Sequence, residues 1–179
     1  EARERVKADA IAAGMPDDGR GLEAGGAGAT AYADALAVYL AALIDQLTNQ
    51  SCSICAWNNI NQQMIVTFSR QAIPMVWDYA ESNPFSRSTG SIHNLHERQV
   101  KGIYSLAPLL EGIAIQADAR YQNISNLKVV STDPPYYDNI GYADLSDFFY
   151  VWLRRSLKEI LPSLFTTIAV PKAEELVAT

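Results

Sequence analysis

An acidic residue, two prolines and an aromatic residue follow one another at Asp133-Pro134-Pro135-Tyr136. An amine attached to an aromatic ring is a poor nucleophile, because its lone pair is delocalised into the ring. Two hydrogen-bond acceptors for its hydrogens turn that lone pair toward an electrophilic methyl carbon. The Asp133 carboxylate offers one acceptor and the Pro134 carbonyl offers the other. These residues are therefore suited to activating a ring-bound amine.

The other residues of this motif fit the same chemistry. Because both prolines have a fixed φ and no amide hydrogen, they hold the backbone out of a helix with a carbonyl turned outward. Tyr136 supplies a face on which a base swung out of a duplex can stack, a contact of ~1–3 kcal/mol. Four residues can also form an ordinary turn, so the neighbouring elements must decide between the two interpretations.

Two short segments are predicted to carry acidic residues to one edge of a sheet. Residues 112–118 alternate apolar and small side chains and end on Asp118, and residues 128–132, with Val129 and Val130 among them, are predicted as a short strand that leads directly into Asp133. A long amphipathic helix, with most of its aromatic residues in the core, is predicted over 143–160. Strands that deliver acidic residues to one edge, followed by a helix, are typical of an α/β fold.

Helices are predicted for most of the chain before these strands. Residues 1–13 are rich in helix formers, and residues 72–81 and 93–110 also suit helix. Residues 31–47 repeat apolar side chains every three or four positions, which predicts an amphipathic helix with a buried stripe. That stripe consists of Tyr32, Leu36, Tyr39, Leu40, Leu43, Ile44 and Leu47.

Several glycines between residues 19 and 28 resemble a cofactor loop only superficially. A cofactor loop follows a buried strand that aims its amides at the ligand, and no strand is predicted before these glycines. We interpret them as a mobile linker or lid. The chain therefore divides into an N-terminal helix and glycine-rich linker (1–29), a mostly helical region (30–111) and an α/β core segment with the proline motif (112–179).

The composition limits the classes of partner. With 179 residues, of which 49% are hydrophobic, the chain can bury a core. Its net charge of −6 has the wrong sign for neutralising phosphates along a whole surface, so any nucleic-acid contact must be local. The densest basic cluster, Arg154, Arg155 and Lys158, is interpreted as a solvated helix face. No segment has the ~20 apolar residues of a membrane span, so we expect a cytoplasmic protein without a membrane partner.

The two cysteines, Cys52 and Cys55, form one CxxC pair. A structural zinc needs about four ligands, and the only histidines are His93 and His96. Two reduced thiols near a helix end are favoured over a mixed zinc site, and we assign no metal.

The run Asp133-Pro134-Pro135-Tyr136 resembles the catalytic motif of the amino-directed DNA methyltransferases. That motif is Asp, Asn or Ser, then Pro-Pro, then an aromatic residue. Residues 133–155 are similar to a group of large prokaryotic adenine-specific DNA methylases, and so are residues 70–78 and 83–85. The resemblance covers roughly residues 30–178, and it is most specific over 133–155.

The resemblance implies an α/β chain with a partial Rossmann-like, S-adenosylmethionine-dependent methyltransferase fold and additional helices. Its implied activity is transfer of a methyl group to the exocyclic amine of a flipped adenine in DNA. Asp133, Pro134, Pro135 and Tyr136 then occupy the catalytic positions. Asp118, at the end of the preceding strand, meets the adenine end of the cofactor.

One element of that family is absent from the sequence: an apolar strand running into Phe-x-Gly-x-Gly, which binds the cofactor. We expect it in a missing upstream part of the same polypeptide, without which this piece would bind cofactor weakly or not at all. Two alternatives stay open. One is a methyltransferase-fold module that binds or assembles without catalysis, and the other is an amine or amide methyltransferase acting on RNA, cytosine or protein.

Overall fold

A computed structural model describes residues 1–106, 112–113, 115, 117–118, 121–133, 140–173 and 175. Within these residues the helices are α1 (Ala2–Ala12), α2 (Ala29–Thr48), α3 (Ile92–Ser105), α4 (Tyr142–Leu157) and a 3-10 helix (Pro162–Phe165). Strands β1 (Trp57–Asn58) and β2 (Gln63–Met64) form an antiparallel hairpin, with Trp57 opposite Met64. None of the described helices is long and apolar enough to cross a membrane.

Helix α2 is the central element, because α1, α3 and α4 all pack against it. The sequence prediction of this helix is confirmed, but the predicted buried stripe is mostly wrong. Tyr32 and Tyr39 are 46% and 45% exposed, whereas small residues such as Ala33 and Ala41 are almost fully buried. Because the distance between packed helices depends on the side chains at the contact, alanines let the neighbouring helices approach closely.

The hydrophobic core lies where α2, α4 and the 3-10 helix meet. Ala41, Leu157, Ile160 and Phe165 are buried there, with partly buried residues of α2 and α4 packed around them. The Tyr150 ring packs against that of Phe165, with centroids 5.6 Å apart. Of the α4 residues predicted to be core, Leu157 is buried, whereas Trp152 stays 39% exposed. This core fixes the position of α4 relative to α2.

The glycine-rich loop between α1 and α2 is anchored by Asp17. Its carboxylate accepts hydrogen bonds from the Thr30 amide at 3.1 Å and the Thr30 hydroxyl at 3.0 Å. The N-cap residue of α2 is Gly28, which has no side chain, so Asp17 satisfies a free amide of the first turn from a distance in sequence. These hydrogen bonds hold the pKa of Asp17 well below its ordinary value, and the ammonium of Lys7 lies 3.2 Å away.

A second aspartate, Asp34, joins the same loop to α1. Its buried carboxylate accepts hydrogen bonds from the Arg3 guanidinium and from the Leu22 amide, the latter at 2.9 Å. Asp34 in turn raises the pKa of Arg3. At Gly28, an added Cβ would lie 2.7 Å from the Pro16 carbonyl oxygen, so the close approach requires glycine. The loop is thus tied to both helices, which differs from the mobile linker expected from its glycines.

Residues 65–91 contain no helix, so the helix predicted over 72–81 is wrong. The apolar residues of that segment stay largely exposed, Met75 at 80% and Trp77 at 89%, so no buried face is available to stabilise a helix there. Helix α3 then begins after Ser91, whose hydroxyl accepts a hydrogen bond from the Asn94 amide at 3.4 Å. The α3 prediction is confirmed through Ser105, and residues 107–110 lie outside the described part.

The predicted strand over 128–132 is not formed; residues 121–133 are turns and irregular backbone. Val129 and Leu127 are fully exposed, and Leu127 has a φ of +59°. A strand exists only where a neighbouring strand accepts its hydrogen bonds, and no described segment lies in that position. The described residues of 112–118 are also not strand, whereas 114 and 116 lie outside the description. The Rossmann-like α/β arrangement therefore stays a prediction.

We expect Asp34→Ala to lower the free energy of unfolding by about 2–3 kcal/mol, because Arg3 and the Leu22 amide lose their acceptor. Urea denaturation followed by circular dichroism measures this loss. The control is Asp18→Ala, which removes an exposed carboxylate that accepts from the Arg20 amide at 3.0 Å and should cost less than about 1 kcal/mol. Equal losses for the two variants would contradict the role given to Asp34.

Candidate functional site

Asp133, the first residue of the predicted catalytic motif, lies exposed at the end of an irregular segment. Pro134, Pro135 and Tyr136 lie outside the described residues. The predicted pair of acceptors, formed by the Asp133 carboxylate and the Pro134 carbonyl, therefore stays a prediction. The Asp133 carboxylate is accessible to solvent. A side chain that contacts a large substrate needs such exposure.

Asp118, the predicted contact of the cofactor adenine, is also exposed. Its backbone carbonyl accepts a hydrogen bond from the Tyr121 amide at 3.2 Å. The strand predicted to deliver Asp118 is not formed among the described residues. Its role toward a cofactor stays a prediction.

The chain after the motif is anchored at Ile140, which is buried, and continues through Gly141 into α4. Gly141 is the N-cap residue and has no side chain to bind the free amides of the first turn. The Glu175 carboxylate supplies that acceptor, at 2.9 Å from the Ala143 amide. A carboxylate at this end also interacts favourably with the helix dipole.

The residues before Glu175 return along α4, and we call residues 167–173 together with 175 the return segment. The Thr167 carbonyl accepts hydrogen bonds from the Tyr150 hydroxyl at 2.9 Å and the Arg154 guanidinium at 2.8 Å. The Asp147 carboxylate accepts from the Val170 amide at 2.8 Å. Arg154, part of the predicted basic cluster, is thus used to hold the return segment.

An ion-pair cluster fastens the same segment to the first two turns of α4. The Lys172 ammonium lies 2.5 Å from the Asp147 carboxylate and 3.1 Å from that of Asp144. Lys172, helped by the Val170 amide, lowers the pKa of Asp147, and the two aspartates raise the pKa of Lys172. The N-terminal end of α4, which residues 134–139 precede in the sequence, is therefore held by contacts from the return segment.

An aromatic cluster joins α4 to the chain that follows β2. The Phe68 ring lies 5.2 Å from that of Phe148 and 5.4 Å from that of Phe149. The two α4 rings are 5.1 Å apart and almost perpendicular. Edge-to-face pairs of this kind add about 0.5–1.5 kcal/mol beyond their burial. They connect α4 to the segment that carries Thr67, whose hydroxyl lies beside both cysteines.

The two cysteines lie just beyond α2 as reduced thiols, which confirms their prediction. Their sulfur atoms are 3.5 Å apart, and the Thr67 hydroxyl lies 2.9 Å from Cys52 Sγ and 3.3 Å from Cys55 Sγ. The same hydroxyl donates to the Asn49 carbonyl at 3.1 Å. Burial raises the pKa of Cys55, so its thiol is a poor nucleophile at neutral pH. These contacts bind the carbonyl of Asn49, the C-cap residue of α2.

Among the residues that the structure describes, no group of three or more His, Cys, Asp and Glu side chains could hold a metal ion. His93, which the mixed zinc site would need, lies on α3 with its ring 3.4 Å from the Glu97 carboxylate. Both side chains of this pair are more than half exposed. His93 therefore belongs to the surface of α3.

Asp45, one turn before the end of α2, carries a buried oxygen that has no hydrogen-bond partner in the described part of the chain. The side-chain oxygen of Asn49, four residues later, is in the same state. Burial raises the pKa of Asp45 to about 6 from 3.8. Sequence analysis did not identify Asp45, because the desolvation of its carboxylate depends on tertiary packing.

A cavity of about 750 Å³, lined by both polar and apolar residues, lies between the β1–β2 hairpin and the loop before α3. Trp57 and Asn61 line it from the hairpin, and Asn83 and Ser91 line it from the loop. Sequence analysis missed this cavity because the hairpin that forms one of its walls was not predicted. Of its lining residues, only Asn83 falls within a segment that carried the family resemblance.

Comparison of the chain with family models, curated proteins and solved structures gives no match in any of the three.

We expect Asp45→Asn to raise the free energy of unfolding at pH 7 by about 1–2 kcal/mol after allowance for solvent screening. A carboxyl whose pKa rises on folding contributes stability that is complete below its unfolded pKa and is lost as pH rises through about 6. The variant should therefore flatten the pH dependence of stability between about pH 4 and 6. Urea denaturation across this range measures both effects, and an unchanged pH profile would contradict the assignment.

We expect Glu175→Ala to increase amide hydrogen exchange at Ala143 about fivefold, since losing a helix cap costs ~1 kcal/mol. Hydrogen exchange measured by NMR follows this amide directly. Glu97→Ala removes an exposed carboxylate from α3 and should leave the Ala143 amide unchanged. If both variants accelerate it equally, Glu175 is not the cap.

Proposed function

We propose that this protein transfers a methyl group from S-adenosylmethionine to the exocyclic amine of adenine in DNA. The observation that carries the proposal is the run Asp133-Pro134-Pro135-Tyr136, with its resemblance to amino-directed DNA methyltransferases through residue 155. Two features of the described residues support it. Asp133 is exposed, and the chain after the motif is anchored at Ile140 and at the capped end of α4.

Each motif residue has a distinct task in this proposal. The Asp133 carboxylate and the Pro134 carbonyl accept the two hydrogens of the adenine amine, and Pro135 keeps the backbone out of a helix. The face of Tyr136 stacks on the flipped base. The lone pair of the amine then attacks the methyl carbon, the bond from that carbon to the cofactor sulfur breaks, and the amine afterwards loses a proton. S-adenosylhomocysteine is the second product.

The cofactor site is completed outside these residues. Asp118 meets the adenine end of S-adenosylmethionine, and the glycine-rich loop that the sequence lacks comes from an upstream part of the same polypeptide. The reaction takes place in the cytoplasm. Because the chain is acidic overall, its contact with DNA is confined to the neighbourhood of the flipped base.

We expect Asp133→Ala, in the polypeptide that includes the upstream part, to abolish methyl transfer while leaving the affinity for S-adenosylmethionine nearly unchanged. The carboxylate acts on the amine and not on the cofactor. Transfer of tritium-labelled methyl groups to DNA measures the rate, and isothermal titration measures the affinity. Asp9→Ala, which removes an exposed carboxylate from α1, should behave as wild type.

Turnover by Asp133→Ala at the wild-type rate would refute the catalytic role. Labelling of RNA or protein but not of DNA would move the same chemistry to another substrate. Absence of labelling with every acceptor, together with absence of cofactor binding, would leave a methyltransferase-fold module without catalysis.

A further inference from the structure

The cavity between the β1–β2 hairpin and the loop before α3 has the volume of a small-molecule site. Its volume of about 750 Å³ lies in the range of about 300–1,000 Å³ that such sites occupy. The hairpin forms one wall and the loop over residues 81–91 forms the other. Met64, Ile65 and Val66 add an apolar part to the lining.

The lining chemistry selects a neutral ligand. Glu81 is its single acidic residue, and it contains no lysine, arginine or histidine. A phosphate or carboxylate would enter without a cation to balance its charge. Amide side chains, by contrast, line it from both walls, and each offers donors and an acceptor. Such groups match the edge of a neutral heterocycle, as asparagine and glutamine do with adenine.

Trp57 supplies a flat apolar surface at the same site. It lies on β1 beside the cavity, and 46% of its surface is exposed. Its partner in the hairpin is Met64, which also lines the cavity. A partly exposed tryptophan beside side-chain amides offers a nucleobase both stacking and hydrogen bonding.

Both walls are fixed before a ligand arrives. In the hairpin, the Asn58 side-chain oxygen accepts hydrogen bonds from the Ile60 amide at 2.9 Å and the Asn61 amide at 3.1 Å. In the loop, the Asn83 side-chain oxygen accepts from the Phe85 amide at 3.0 Å. Ligand binding to a preformed site loses less conformational entropy than binding that must order loops.

We propose that this cavity binds a nucleobase, which stacks on Trp57 and hydrogen bonds through its edge to the amides of Asn61 and Asn83. The base belongs either to a nucleoside or to an unpaired position in a DNA strand. The proposal goes beyond methyl transfer, because it uses neither Asp133 nor Asp118. Its test needs no reaction, so it can fail or succeed separately from the proposed activity.

Equilibrium dialysis of the chain with radiolabelled adenosine tests the proposal, with ribose 5-phosphate as the control ligand. We expect saturable adenosine binding and no binding of the sugar phosphate. Trp57→Ala should weaken adenosine binding at least about fivefold through lost stacking. Trp77→Ala removes a tryptophan that is 89% exposed and does not line the cavity, so it should bind as wild type.

A second variant guards against misfolding of Trp57→Ala. Asn61→Ala changes an exposed side chain and should also weaken adenosine binding about fivefold, with an unchanged circular dichroism spectrum. Competition by single-stranded oligodeoxyadenylate would assign the site to a DNA base and its absence would assign it to a nucleoside, and either result supports the proposal. No adenosine binding, binding equal to that of ribose 5-phosphate, or wild-type affinity in both variants would overturn it.

Discussion

Close packing along the small-residue face of α2 is the interaction on which the described structure depends. Ala33 and Ala41 are buried on this helix, which α1, α3 and α4 all contact. Because α4 is placed by this packing, Ile140 and Gly141, which lead directly into α4, are placed by it too. Polar contacts then secure the ends: Asp17 binds the first turn of α2, and the Thr67 hydroxyl closes the other end by binding the Asn49 carbonyl.

The helices were predictable because their signals are local. Helices α1, α2 and α4 lie close to their predicted positions, and α3 follows its prediction through Ser105. Their buried faces were harder to predict, since an alanine carries little hydrophobic signal and Tyr32 carries much. The hairpin was missed because strands of two residues have no periodicity. The segment 128–132 has a strand-like composition, but a strand needs a neighbour that the sequence pattern does not specify.

The candidate site likewise has a part that was predictable from the sequence and a part that was not. The chemistry proposed for Asp133 and the three residues after it was predictable from the sequence, because proline and aspartate have strong and specific physical roles. The support around α4 was not, since the contacts of Glu175 with Ala143 and of Lys172 with Asp147 join residues far apart in sequence. The desolvation of Asp45 and the cavity beside Trp57 likewise arise only when separate segments meet.

The central claim is that the motif at Asp133 methylates adenine in DNA. Mass spectrometry of nucleosides from the DNA of cells with and without the gene tests it most directly. The account predicts that deletion removes a fraction of N6-methyladenine, which the wild-type gene restores and a gene carrying Asp133→Ala does not. N6-methyladenine unchanged by deletion would contradict it.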